Sequence, residues 1–121
     1  MESITLDTST RDSDGLQILD ISGEIDIYTT SQFKEAVNKI IATGQKHLVI
    51  NMERVTYMDS SGFGTLLSAQ KRIRPEGGTI NLVKCNSPIT RMLRITRLDT
   101  IFGAYISEED AMAEIKQKLS A

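Results

Sequence analysis

The sequence predicts one α/β domain with the element order β-β-α-β-α-β-α-β-α and a mainly parallel sheet. Three observations carry this expectation. Short apolar runs recur near residues 16–25, 48–52 and 79–85. Between them lie stretches with helical spacing, the clearest being Phe33, Ala36, Val37, Ile40 and Ile41. Glycine, proline and short polar residues mark the junctions, as at Gly44 and at Pro75-Glu76-Gly77-Gly78. Strands that alternate with helices imply crossover connections and hence parallel neighbours.

The first strand is expected over residues 3–8, at an edge, with Ile4 and Leu6 on one face. Residues 11–15 read as a turn, with Asp14-Gly15 as a hairpin signal. The second strand, 16–25, is apolar on both sides. Leu16 and Ile18 point one way; Leu19, Ile21 and Ile25 point the other, which suits an interior strand. A loop follows at 26–30, and Thr29, Thr30 or Ser31 caps the first helix. The third strand is expected over 46–52, with Leu48, Ile50 and Met52 opposed by Val49. A turn at 55–64 then leads into a helix from about Ser61 to Ile73, buried through Phe63, Leu66, Leu67 and Ile73. Ser60 or Asp59 is its N-cap, because a short side-chain oxygen can accept from free helix N–H groups. The fourth strand is expected over 79–85. Ser87 caps a short helix with Pro88 at its first position and Ile89, Met92 and Leu93 inward. A last strand at 101–106 and a final helix with Ala111, Met112, Ile115 and Leu119 inward complete the chain. The acids Glu108, Glu109 and Asp110 suit the positive end of that helix.

Composition narrows the function. A chain of 121 residues can bury roughly two-thirds of its unfolded surface without staples. Net charge is −2, so bulk charge gives no case for direct nucleic-acid or anionic-membrane binding. The single Cys85 cannot form an internal disulfide and reads as a strand-end core residue. Residues 1–14 are polar, so no signal peptide is expected, and no apolar run reaches the ~20 residues of a membrane helix. These features point to the cytoplasm.

No catalytic or metal-binding set emerges. The only histidine, His47, opens a strand at the opposite end from Ser60 and reads as a surface residue. Asp26 and Asp59 are too few for a metal site, and no phosphate-loop motif is present, so no cofactor is expected. Arg91, Arg94 and Arg97 read as a solvated helix face rather than an anion-binding patch. In a parallel sheet the working surface lies at the carboxyl ends of the strands. That rule gathers Asp26, Asp59, Ser60 and Ser87 at one end. A serine at the start of a helix is either a plain cap or an accessible hydroxyl placed to carry a phosphate beside the helix dipole. Ile27 and Tyr28 are either partner contacts or packed against their own helix. Gly62 and Gly64 would leave the backbone approachable.

Two segments together resemble a known family. Tyr57-Met58-Asp59-Ser60-Ser61-Gly62-Phe63-Gly64 resembles the phosphorylation motif of bacterial anti-sigma factor antagonists, which are STAS-domain proteins. Ser22-Gly23-Glu24-Ile25-Asp26 resembles their Gly-Glu-Leu/Ile-Asp segment. The resemblance implies a STAS-like single domain over residues 1–121 that is not an enzyme. It implies that the unphosphorylated protein binds an anti-sigma factor that is also a serine kinase, freeing the sigma factor. It implies phosphorylation at Ser60, reversal by a serine phosphatase, and partner contacts through Asp26, Ile27, Tyr28, Thr30, Asp59, Ser60, Ser61, Gly62 and Phe63. Asp59 would orient Ser60. Phe63 stands where the family often has leucine, which bears on partner preference. Two other readings of the same loops remain: a STAS module of a stressosome-like switching pathway, and a nucleotide-binding regulatory domain.

Overall fold

The structure, a computed structural model, describes residues 5–120. Strands β1 (Asp7–Ser13) and β2 (Leu16–Ile25) are followed by α1 (Thr30–Ala42), β3 (His47–Met58), α2 (Ser60–Ile73), β4 (Thr79–Val83), α3 (Ser87–Ile95), β5 (Gly103–Tyr105) and α4 (Glu108–Ser120). Short 3-10 turns at Arg74–Glu76 and Leu98–Thr100 follow α2 and α3. The five strands lie in the order β1-β2-β3-β4-β5; β1 is antiparallel to β2 and the other three pairs are parallel. The expected element order and mainly parallel sheet are therefore observed.

Hydrophobic burial divides the sheet into two faces. The larger core joins Leu19, Ile21, Leu48, Ile50 and Leu82 to the inner stripes of α1, α2 and α3, including Phe33, Leu66 and Leu93. The smaller core joins Ile18, Val49 and Val83 to Ala111, Met112 and Ile115 of α4. The alternation along β2 thus divides its side chains between the two layers.

Several boundaries differ from the sequence expectation, each for a physical reason. The first strand begins at Asp7 rather than at Ser3. Its residues are polar and exposed on both faces, so no apolar period marks it. Residues 3 and 4 of the expected strand lie outside the described residues, while Leu6 is buried. The turn is two residues long, Asp14 and Gly15, both at positive φ (49° and 84°), as a tight hairpin requires. β3 continues to Met58, six residues past the expected end at Met52. Register shifts in its pairing with β2 place Met52, Val55 and Met58 inward at three-residue intervals, which hides the strand period. β4 ends at Val83, before the expected 85, leaving Cys85 partly buried against the core. β5 keeps only three of the six expected residues, and Ile101 and Ile106 are exposed. Met92 and Leu119, both expected inward, are 43% and 57% exposed. His47 is the reverse case: it is buried, with Nδ1 2.8 Å from Thr79 Oγ1, and burial pulls its pKa down.

Candidate functional site

Two loops meet at the carboxyl ends of β2 and β3. The first turns sharply after Ile25. The Asp26 carboxylate accepts hydrogen bonds from the backbone N–H groups of Tyr28 (2.9 Å) and Thr29 (3.1 Å). The Thr29 hydroxyl donates to the Glu24 carbonyl at 2.7 Å and accepts from the Asp26 N–H at 3.0 Å. Thr29 is the N-cap residue of α1, but its hydroxyl is engaged inside the loop and does not cap the helix. This internal pinning turns Ile27 and Tyr28 outward, where they are 72% and 73% exposed. Of the two alternatives for this pair, packing against their own helix is excluded. Asp26 spends its carboxylate on shaping the loop.

The second loop is a single residue. Asp59 lies between β3 and α2, and its N–H donates to the Ile25 carbonyl at 3.1 Å, which joins the two loops. Its side chain is the α2 N-cap and accepts from the Ser61 N–H at 2.9 Å. The Ser61 hydroxyl donates to the same carboxylate oxygen. That hydroxyl bond, with backbone N–H groups of Ser61, Gly62 and Ile27, holds the Asp59 carboxyl below the usual range. Asp59 therefore positions Ser61, whereas the family resemblance implied that it would orient Ser60. The Ser60 side chain is exposed at the first position of α2, and no described residue hydrogen-bonds its hydroxyl.

The two helix starts are also fastened together. The Thr30 hydroxyl donates to the Ser61 carbonyl at 3.2 Å and lies 3.0 Å from the Thr65 hydroxyl. Gly62 faces inward rather than opening the backbone. A Cβ there would meet Met58 Cγ at 2.5 Å and Ile25 Cγ2 at 2.8 Å, so α2 can approach the sheet only with glycine at this position. Gly64, by contrast, faces open space. Phe63 is 6% exposed and belongs to the larger core. Gly62 and Phe63, both expected at the partner contact, pack inward, Phe63 in the larger core as its helical spacing predicts and Gly62 against Met58 and Ile25.

On the third loop, Asn86 rather than Ser87 caps α3, its Oδ1 accepting from the Ile89 N–H at 2.9 Å. Pro88 is accordingly the second helical residue. The Asn86 side-chain amide donates to the Val55 carbonyl at 3.2 Å, which secures the start of α3 to the far part of β3. Asp26, Asp59, Ser60 and Ser87 thus share one end of the sheet. The sequence reading overlooked Tyr57 as a contact candidate. It stands opposite Glu24 across the β2–β3 register and is 51% exposed. An aromatic residue beside Thr56, between apolar Val55 and Met58, was the available signal.

The resulting surface has the exposed Ser60 hydroxyl, an exposed apolar rim of Ile27, Tyr28 and Tyr57, and the carboxylates of Glu24, Asp26 and Asp59. His47 opens the twelve-residue β3 and Ser60 follows its far end, a separation of about 35 Å. It cannot serve as a base for Ser60. Two cavities of about 520 Å³ lie elsewhere, one over the polar face of β1, β2 and β3 and one between β1 and α1; Ser60 lines neither. Among the described residues no cluster of His, Cys, Asp and Glu is placed to hold a metal ion, and no helix is long and apolar enough to cross a membrane. The geometry suits docking and modification of a surface hydroxyl.

The capping arrangement makes a pH-dependent prediction. A carboxyl whose folded-state pKa is lowered stabilises the protein fully above the ordinary carboxylate range, and the effect is lost as pH falls through the folded value. Asp59→Ala is expected to lower the melting temperature by a few degrees at neutral pH. The difference from the parent should shrink steadily in acid. Melting curves of both proteins from neutral pH to strong acid check this; a difference independent of pH would contradict it.

Comparison with known proteins agrees with this architecture. The STAS domain family model matches residues 7–111. An anti-sigma F factor antagonist of Paenibacillus polymyxa is 31% identical over 103 residues, covering 84% of this chain and 88% of the relative. The crystal structure of an anti-sigma factor antagonist from Mycobacterium paratuberculosis has a TM-score of 0.82 at 28% identity, covering 92% of this chain and 94% of that one. The phosphorylated form of the Bacillus cell fate determinant SpoIIAA has a TM-score of 0.68 at 20% identity, covering 90% and 99%, a likeness of fold. With the family match running from β1 into α4 and a relative sharing nearly a third of the aligned residues, the chain belongs to the STAS domain family.

Proposed function

We propose that this protein is an anti-sigma factor antagonist whose docking surface is switched by phosphorylation of Ser60. The unphosphorylated form binds an anti-sigma factor that is also a serine kinase and so releases the sigma factor. Phosphate on Ser60 separates the pair, and a serine phosphatase restores the binding form. The protein works in the cytoplasm, as a binding module rather than an enzyme, without direct contact with nucleic acid or membrane. Ile27, Tyr28, Tyr57 and Ser60 form the contact surface, while Asp26, Thr30, Asp59 and Ser61 hold it in shape.

One observation carries this reading: two adjacent serines occupy opposite situations. Ser60 is exposed and no described residue holds its hydroxyl, while the Ser61 hydroxyl is donated to Asp59. A phosphate adds about −1.5 to −2 charges at neutral pH. On Ser60 it lies at a helix N-terminus, which favours an anion, so the fold tolerates it. On Ser61 it would be forced against the Asp59 carboxylate and would break the cap. The names of the similar proteins add support. Incubation with the kinase and ATP, followed by intact-mass and peptide analysis, tests the reading. One phosphate is expected on Ser60 in the parent and in Ser61→Ala, and none in Ser60→Ala. Phosphate on Ser61 in the parent, or undiminished labelling of Ser60→Ala, would refute it.

A further inference from the structure

Seven of the eight glycines have a reason within the fold. Four lie at positive φ, and a Cβ on Gly62, Gly78 or Gly103 would meet a neighbouring atom at 2.7 Å or less. Gly64 is the exception. It lies inside α2, and apart from its own helix no described atom comes within 4 Å of where a Cβ would stand. Glycine is a poor helix former and alanine the best, so the fold loses stability here and gains nothing in return.

The position of Gly64 relative to Ser60 supplies a reason. It lies one helical turn beyond Ser60, on the same face of α2. Helical side chains lean back toward the N-terminus, so one at position 64 would lie over residue 60. Glycine leaves the approach to the Ser60 hydroxyl uncovered.

Gly64 also lines a groove of about 350 Å³ between α1 and α2, whose walls carry Lys34 and Arg72 and no acid. Helix α2 contains no aspartate or glutamate, and the one acid of α1, Glu35, pairs with Lys39 at 3.7 Å. Lys34 is exposed and forms no ion pair among the described residues. Arg72 donates to the uncharged side-chain oxygen of Asn38 and meets no carboxylate there. Taking the function proposed above, we propose that this groove receives an acidic segment of the same anti-sigma factor that acts on Ser60, with Gly64 at the point of closest approach.

The docking face then has two signs. Carboxylates of Glu24, Asp26 and Asp59 surround Ser60, while the groove that starts one turn along α2 carries two cations. A partner with basic groups opposite the rim and acidic groups opposite the groove fits one way round; reversed, like charges meet. Phosphoryl transfer needs the donor in line with the Ser60 oxygen, so a contact that fixes orientation also supports the rate.

Binding titrations with the anti-sigma factor, and phosphorylation by it with ATP, test the inference. Gly64→Gln should raise the melting temperature by a few degrees, since glutamine is the better helix former and meets no clash. It should nevertheless weaken binding by about tenfold or more and slow phosphorylation of Ser60 as much. Gly64→Ala should stabilise the fold with a smaller loss of binding. Lys34→Glu should cost about tenfold in affinity at an unchanged melting temperature, and Lys34→Arg should recover most of it. Carbodiimide treatment of the complex should join the Lys34 amine to an aspartate or glutamate of the anti-sigma factor. A stabilised Gly64→Gln that binds and reacts as the parent does, an undiminished affinity of Lys34→Glu, or cross-links that avoid Lys34 would each overturn the groove and leave the Ser60 switch standing. A parent that neither binds nor accepts phosphate would remove both.

Discussion

Ser60→Asp is expected to weaken docking to the proposed anti-sigma factor by about a hundredfold or more (~2.7 kcal/mol). Its melting temperature should stay within a degree or two of the parent's. Both halves follow from position. The Ser60 side chain is exposed and makes no hydrogen bond to any described residue, so its replacement breaks no side-chain contact of the fold. A carboxylate at the first helical position interacts favourably with the helix dipole. On the docking surface the situation reverses. The new charge would be desolvated on binding beside the apolar Ile27, Tyr28 and Tyr57 and would add to Glu24, Asp26 and Asp59. Ser60→Ala should bind like the parent and accept no phosphate. Calorimetric titration with thermal melts checks both variants; a Ser60→Asp protein that binds as the parent does would remove the basis of the switch.

Phe63→Ala is expected to destabilise the fold by about 3–5 kcal/mol, lowering the melting temperature on the order of 10–20 °C. Phe63 is 6% exposed within the larger core, in the first turn of α2, next to the glycine that lets this helix approach β2 and β3. Truncation leaves a cavity where α2 meets the sheet, and the loops that carry Ser60 are anchored to that helix. Binding should weaken only as far as the site loosens. Phe63→Leu, which keeps most of the apolar volume, should recover the greater part of the stability. Thermal and denaturant unfolding separate this from a contact role, in which Phe63→Ala would lose binding with its melting temperature intact.

The elements with two-sided or helical apolar stripes were legible in the sequence, and the rest failed for identifiable reasons. β2 was readable because Leu19 and Ile21 serve one core and Ile18 the other. β1 was displaced because an exposed edge strand has no apolar face to reveal it. The end of β3 was lost because shifts in register break the period after Met52. In the site, the position of Ser60 at a helix start was legible from local chemistry, whereas the exposure of Ile27 and Tyr28 was decided only by the Asp26 turn. What was not legible was the division of labour. Asp59 and Asn86 had to be distinguished as caps from neighbouring serines of similar capping strength, which only the hydrogen-bond geometry does. Phe63 was legible as core from its helical spacing with Leu66 and Ile73, whereas the inward role of Gly62 emerged only once the approach of α2 to Ile25 and Met58 was known.

The most direct test compares the parent with protein carrying one phosphate on Ser60, titrated against the anti-sigma factor by calorimetry, with amide NMR spectra of both recorded first. The account predicts spectra that differ only near residues 26–30 and 57–62, together with a binding heat that phosphorylation abolishes. Equal affinity of the two forms, or spectral change spread through the core, would contradict it.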